Sequence, residues 1–153
     1  DWINAQYIKN MPAEEFISIV GINSIPKMAV PLITERLDKL TDVMSYDYFW
    51  KIPHHDPTLL IWKNCSIGDV RKSLETSRAI ITKHDLTSEK GRETLRLLLD
   101  DAGKIVNNRG LIYWPLRVAL SGKDKSPDPV EIAYVLGKSE TVKRLDVAIK
   151  ILS

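Results

Sequence analysis

Two residues in the C-terminal third offer chemistry without an evident structural use. Arg117 is the strong cation in the apolar run Leu-Ile-Tyr-Trp-Pro-Leu-Arg-Val-Ala-Leu, residues 111–120, which Gly110 and Gly122 bracket. A guanidinium in such a run costs free energy unless its head escapes to water or meets an anion. Ser126 then opens a Ser-Pro-Asp-Pro corner, in which Pro127 and Pro129 stiffen the backbone that carries the hydroxyl. A rigid corner with a hydroxyl and a nearby arginine suits the recognition of a phosphate or a base edge. The residues alone leave a second reading open, in which Arg117 snorkels to an internal carboxylate and the corner is only a turn.

Other reactive side chains are less well arranged. His54, His55, Asp56 and, further on, Cys65 invite a metal reading. Adjacent histidines point in different directions on regular elements, and the paired spacings of zinc sites are missing. Cys65 with the solitary His84 makes no convincing nucleophile and base, so a small hydrolase built on them carries little weight. No phosphate-cradling glycine loop is present.

Composition narrows the class further. The 153 residues are 44% hydrophobic and 27% charged, the mix of a soluble globular chain of one domain or two small ones. No apolar run approaches a membrane span. One cysteine, Cys65, excludes an internal disulfide and fits a reducing compartment. Net charge is only +2, but it is unevenly placed. From Lys104 onward nine Lys or Arg stand against five Asp or Glu, while the residues before it are net negative. The C-terminal third is therefore the better place for a polyanion, although such an imbalance also arises on solvated helix surfaces.

The elements that must position these residues are helices. Trp2, Ile3, Gln6 and Tyr7 give a short helical pattern with an aromatic stripe that reads as core packing. Met11-Pro12-Ala13-Glu14-Glu15 starts a helix that should stop at Gly21. A third is expected from a Ser24 cap through Leu40, opened afresh or kinked at Pro31. Tyr46, Tyr48, Phe49 and Trp50 form the densest aromatic cluster, beside the Ile52-Pro53 breaker. Ser66 caps a long helix with the stripe Ile67, Val70, Leu74, Ser77 and Ile81. Thr87-Ser88-Glu89 starts another, with Leu95, Leu98, Leu99, Ala102 and Ile105 inward, and His84-Asp85-Leu86 joins the two as a hairpin. Asn107-Asn108-Arg109-Gly110 ends that hairpin before the apolar helix that carries Arg117. Asp128 caps a short helix to Gly137, and Ser139 caps the last, with Lys138, Lys143, Arg144 and Lys150 largely on outward faces. No alternating strand pattern appears, so the expected class is all-α, with one helical subdomain over 1–106 and a second over 107–153.

Pro-Leu-Arg-Val-Ala-Leu-Ser-Gly, then Ser-Pro, then Val-Leu-Gly-Lys-Ser-Glu-Thr-Val-Lys-Arg-Leu resembles the C-terminal end of bacterial-type glutamyl-tRNA synthetases. Trp-Ile-Asn-Ala-Gln-Tyr-Ile near the start is similar to a segment that leads from the catalytic half of that family toward its anticodon-binding domain. The resemblance implies two helical subdomains forming an anticodon-binding helical cage. It implies that Arg117 and Ser126, with Pro127 and Pro129 as a stiff apolar surface, meet the anticodon loop. It also implies that Arg36, in Thr-Glu-Arg-Leu-Asp-Lys-Leu, approaches the last anticodon base, although Lys39 departs from the family's threonine.

The family's two ATP-holding catalytic segments, of His-x-Gly-His and Lys-Met-Ser-Lys type, do not occur here. The chain is thus expected to be the non-catalytic, tRNA-binding half of an ATP- and Mg-dependent glutamate–tRNA ligase. No cofactor is expected in this half, which should be monomeric, cytoplasmic and without membrane contact. The alternative is a helical protein-interaction module, with the aromatic cluster and the helix over 111–120 forming a groove for a partner helix.

Overall fold

The computed structural model describes residues 2–153, with side chains from Asn4 onward, so the side chains of Trp2 and Ile3 lie outside the described residues. Helices and turns account for the chain, and no strand occurs among the described residues. The chain divides into two compact units, Asp1–Ile52 and Pro53–Ser153.

The first unit contains α1 (Trp2–Lys9), α2 (Ala13–Val20), a 3-10 turn at Lys27–Ala29, α3 (Val30–Thr34) and a long 3-10 segment, Leu40–Phe49. Glu14 and Glu15 sit in the first turn of α2, where its dipole favours them, and Gly21 closes it in the left-handed conformation at φ 73°. Phe16, Ile33, Leu37, Tyr48 and Phe49 are among its buried side chains. Of the aromatic stripe expected on α1, Tyr7 is 63% exposed, while Ile8 and Met11 are buried.

The helix expected from Ser24 to Leu40 is also shorter than read. α3 ends at Thr34, and no side chain caps the 3-10 turn before it. Pro31 has no N–H to extend a preceding helix, so it stands at the second position of α3, where none is needed.

The second unit is built around α6 (Arg109–Ser121). It touches α4 (Ile67–Lys83), α5 (Glu89–Ile105), α7 (Pro129–Ile151) and the 3-10 turn Pro57–Leu60. Ser66 and Ser88 cap α4 and α5 by accepting from Asp69 N and Gly91 N, both at 3.0 Å. The hairpin between them is tight: Asp85 accepts from Thr87 N at 2.9 Å, Thr87 Oγ1 at 2.6 Å and Ser88 Oγ at 2.8 Å. Those bonds, that from the Thr87 hydroxyl foremost, hold the Asp85 carboxyl down at about 2. Two residues of the expected stripes face water, Ile67 at 57% and Ile105 at 85% exposed. Each stands at a helix end, where the apolar face overruns its neighbours.

The division differs from the expected boundary at 106/107. The Asn107–Gly110 turn falls inside one unit because α4 and α5 pack on α6 and α7 rather than on each other alone. Gly103 lets α5 pass close to the start of α6: a Cβ there would lie 3.3 Å from Arg109 Cα. Gly110 does the same for Trp62, whose indole would lie 2.2 Å from an added Cβ.

Candidate nucleic-acid interface

The site is assembled by how α6 begins and ends. Asn108 starts it, accepting from Leu111 N at 3.1 Å and from Trp62 Nε1 at 3.2 Å. One amide thus caps α6 and fixes the loop that carries Trp62. Ile112, Leu116, Val118, Ala119 and Leu120 are buried, which leaves Arg117 half-buried at the margin of the core. Gly122 ends α6 at φ 73°, its N–H on Val118 O at 2.7 Å. A side chain at Gly122 would meet Pro53 Cβ at 2.9 Å and the His54 carbonyl at 3.0 Å, so the turn is both left-handed and pressed.

The loop after Gly122 is tied at both ends. At its start the buried Ser121 hydroxyl donates to Arg117 O at 2.7 Å and accepts from Lys123 N at 3.1 Å. At its end Asp128 caps α7, accepting from Val130 N at 2.8 Å, and is paired with Arg96 of α5. Between these ties Lys123, Asp124 and Lys125 are exposed.

Arg117 spans this loop. Its Nη1 donates to Ser126 O at 2.7 Å, Ser126 Oγ at 2.8 Å and Pro127 O at 3.2 Å. Ser126 Oγ donates in turn to Pro127 O at 2.6 Å. Among the described residues no carboxylate lies within ion-pair distance of Arg117, and its Nε and Nη2 groups have no hydrogen-bond partner. A guanidinium carries five N–H donors in a fixed fork. One amino group is spent on neutral oxygens of the corner, so the positive charge and three donors are left for an acceptor from outside.

The structure therefore brings together Arg117, Ser126, Pro127 and Pro129, and Arg117 is not sealed against an internal carboxylate. Pro127 and Pro129 differ from expectation, because both are buried. They hold the corner rigid and offer no apolar surface to a base.

Arg36 belongs to the first unit, in the turn after α3. It is exposed, donates to Leu32 O at 3.3 Å and pairs with Glu35 at 3.2 Å. An exposed pair of this kind is worth little and is readily exchanged for another anion or an acceptor.

Arg144, for which the resemblance allows a structural role as readily as an RNA contact, takes the structural one: it is 4% exposed and donates to Leu120 O at 2.7 Å at the end of α6. Burial pulls its guanidinium below the ordinary arginine value, with Glu140 opposing. Of the residues expected to line a groove for a partner helix, Tyr48 and Phe49 are buried in the first unit, and Ile112, Leu116, Val118, Ala119 and Leu120 are buried in the second. Among the described residues no three His, Cys, Asp or Glu side chains converge for a metal, and no helix is long and apolar enough to cross a membrane.

Sequence reasoning missed Ser121, Asp128 in its pairing role, and Arg96. Only the cap signal at Asp128 is visible in the sequence, since the partner of each lies on another element or across a loop. Asn108 falls in a stretch expected to end the hairpin, yet an Asn placed just before an apolar run is also a cap signal, and the structure uses it as one.

Known proteins resemble this arrangement along nearly its whole length. The family model described as an anticodon binding domain matches residues 2–149. A glutamate–tRNA ligase of Herpetosiphon aurantiacus is 31% identical, with 98% of this chain and 34% of that protein aligned. A glutamate–tRNA ligase of Clostridium kluyveri is 29% identical, with 97% and 33% aligned. The chain thus spans about a third of the length of the curated relatives it matches. Among solved structures, a glutamate tRNA ligase from Elizabethkingia meningosepticum in complex with its amino acid superposes with a TM-score of 0.76 over 99% of this chain and 32% of that one. Their identity is 23%, so that likeness is one of fold.

Proposed function

We propose, from the premise that this chain belongs to the anticodon binding domain family, that it is the tRNA-reading part of a glutamate–tRNA ligase and recognises the anticodon loop of tRNA(Glu). Attachment of glutamate with ATP and Mg would belong to other parts of such a ligase, which would act as a cytoplasmic monomer. The observation that carries the reading is the Arg117 guanidinium, pinned by Nη1 to the Ser126–Pro127 corner with its charge uncompensated by any described carboxylate.

Single-stranded loops are read by splaying their bases and bonding to the base edges. Arg117 and Ser126 meet the first and second anticodon bases in this account. A preset guanidinium forms its bonds without first losing side-chain freedom, which favours one base geometry over others. Pro127 and Pro129 keep the corner from yielding. Arg36 approaches the third base, releasing Glu35 to do so, and rejects bases that leave its donors unpaired.

The test is a binding titration with an RNA stem-loop that carries the glutamate anticodon. Arg117→Ala is expected to weaken binding by about 1–3 kcal/mol, the cost of one charged hydrogen-bonding contact. The loss should shrink when the first or second anticodon base is changed. Equal affinity of the native chain for matched and changed loops would overturn the reading.

A further inference from the structure

We propose that Arg96 is a positioning residue for anticodon selectivity, acting through Asp128 on the corner that Arg117 and Ser126 present; this rests on the function proposed above. Arg96 lies on α5 and is in neither the loop nor the helix that carries Arg117. Its Nη1 pairs with Asp128, and its Nη2 donates to Glu131 Oε1 at 3.0 Å. The other oxygen of Glu131 accepts from Arg92 Nη1 at 3.2 Å, and the Arg92 guanidinium lies 4.9 Å from the Tyr134 ring centroid. Two arginines of α5 therefore hold the carboxylates at the start of α7, the Asp128 cap and Glu131 in the first turn.

Asp128 directly follows Pro127, whose carbonyl receives both the Arg117 guanidinium and the Ser126 hydroxyl. It also caps α7 through Val130 N. Its two oxygens thus have separate duties: Oδ1 starts the helix, and Oδ2 ties that start to α5. Without the second tie, Asp128 itself is held only by its cap on Val130 N, and the start of α7 keeps Glu131 as its ion-paired link to α5.

The same stretch of α5 also holds α6. Tyr113, one helical turn before Arg117, donates to Asp100 at 2.6 Å and to the Arg96 carbonyl at 3.4 Å, and Arg109 pairs with Asp100 across the Tyr113 ring. α5 is the common support of the helix that carries Arg117 and of the corner that carries Ser126. Arg96 joins the two, since its carbonyl meets Tyr113 and its side chain meets Asp128. A contact on an RNA base demands that both sides keep their relative placement to within a fraction of an ångström.

The experiment measures, for the full 153-residue chain, the ratio of affinities for a stem-loop with the glutamate anticodon and the same loop with its second base changed. Thermal melts run alongside. Arg96→Gln is expected to lower the ratio roughly fivefold to tenfold, mostly through weaker binding of the matched loop. Asp128→Asn keeps a capping oxygen but not the charge, and should lower the ratio by a similar factor. The two changes together should do no more than Arg96→Gln alone, because that variant has already lost the tie to Asp128.

Arg96→Lys, which can still reach Asp128, should recover at least half of the effect. A ratio within twofold of the native value in Arg96→Gln or Asp128→Asn overturns the inference, as does full additivity of the two changes. A melting temperature that falls while the ratio holds marks a stabilising role only and also overturns it. If the native chain shows no dependence on the anticodon base, the proposed function fails first and the inference with it. Should Arg96→Gln fail to fold, Asp128→Asn and Arg96→Lys decide the question.

Discussion

Arg117 makes its hydrogen bonds from one amino group to neutral oxygens, which is an incomplete use of its donors. Tyr113, one turn earlier, is the opposite case. Burial, then the hydrogen bond to Asp100, pushes its phenol well above the ordinary tyrosine value. The ionised form is therefore disfavoured in the fold. The stability this brings is fully present below the unfolded value of about 10 and is lost as pH climbs through the raised folded value. Ultraviolet titration should show that Tyr113→Phe removes absorbance change from the alkaline end of the curve and leaves the ordinary tyrosine range untouched. Loss of amplitude near the ordinary value instead would place Tyr113 in contact with water.

At the scale of elements, glycines and caps decide where helices start and stop. α7 is interrupted at Gly137, whose φ of 82° and ψ of 166° lie in a region open essentially to glycine alone. An added Cβ would meet nothing within 4 Å, so the cost of Gly137→Ala is all backbone strain. It should lower stability by about 1–3 kcal/mol in urea titration, without moving the corner. The hairpin between α4 and α5 gives a matching test in acid. Asp85 is held down at about 2, chiefly by the Thr87 hydroxyl. Its contribution is present above the unfolded value near ~3.9 and fades as pH falls through about 2. Asp85→Asn should therefore flatten the loss of stability across that window in acid titrations followed by circular dichroism. An unchanged slope would show that the Thr87 and Ser88 bonds persist in the unfolded chain.

At the scale of the whole molecule, the residues proposed to meet the anticodon loop belong to different compact units: Arg36 to the first, Arg117 and Ser126 to the second. The second has its own buried core, including Leu74, Leu99, Leu116 and Leu145 at 0% exposure. A chain of residues 53–153 should then fold alone with a cooperative melt. It should keep the preference at the first two anticodon bases and lose any preference at the third. A non-cooperative melt of that piece would mean that the first unit is needed to complete the core. The all-helical class, the long hairpin, the Ser66 cap, the helix start at Thr87-Ser88-Glu89 and the stops at Gly21 and Gly122 were legible in the sequence. Each is fixed by periodicity or by residues a few positions apart. So was the pairing of Arg117 with Ser126 as candidates, since both flank one short loop. The sequence could not give the division at residues 52/53, the inward turn of Pro127, Pro129 and Arg144, or the grip of Arg96 on Asp128. These depend on which helix faces pack together. That choice sums many weak contacts between residues far apart in sequence, and no local spacing records it.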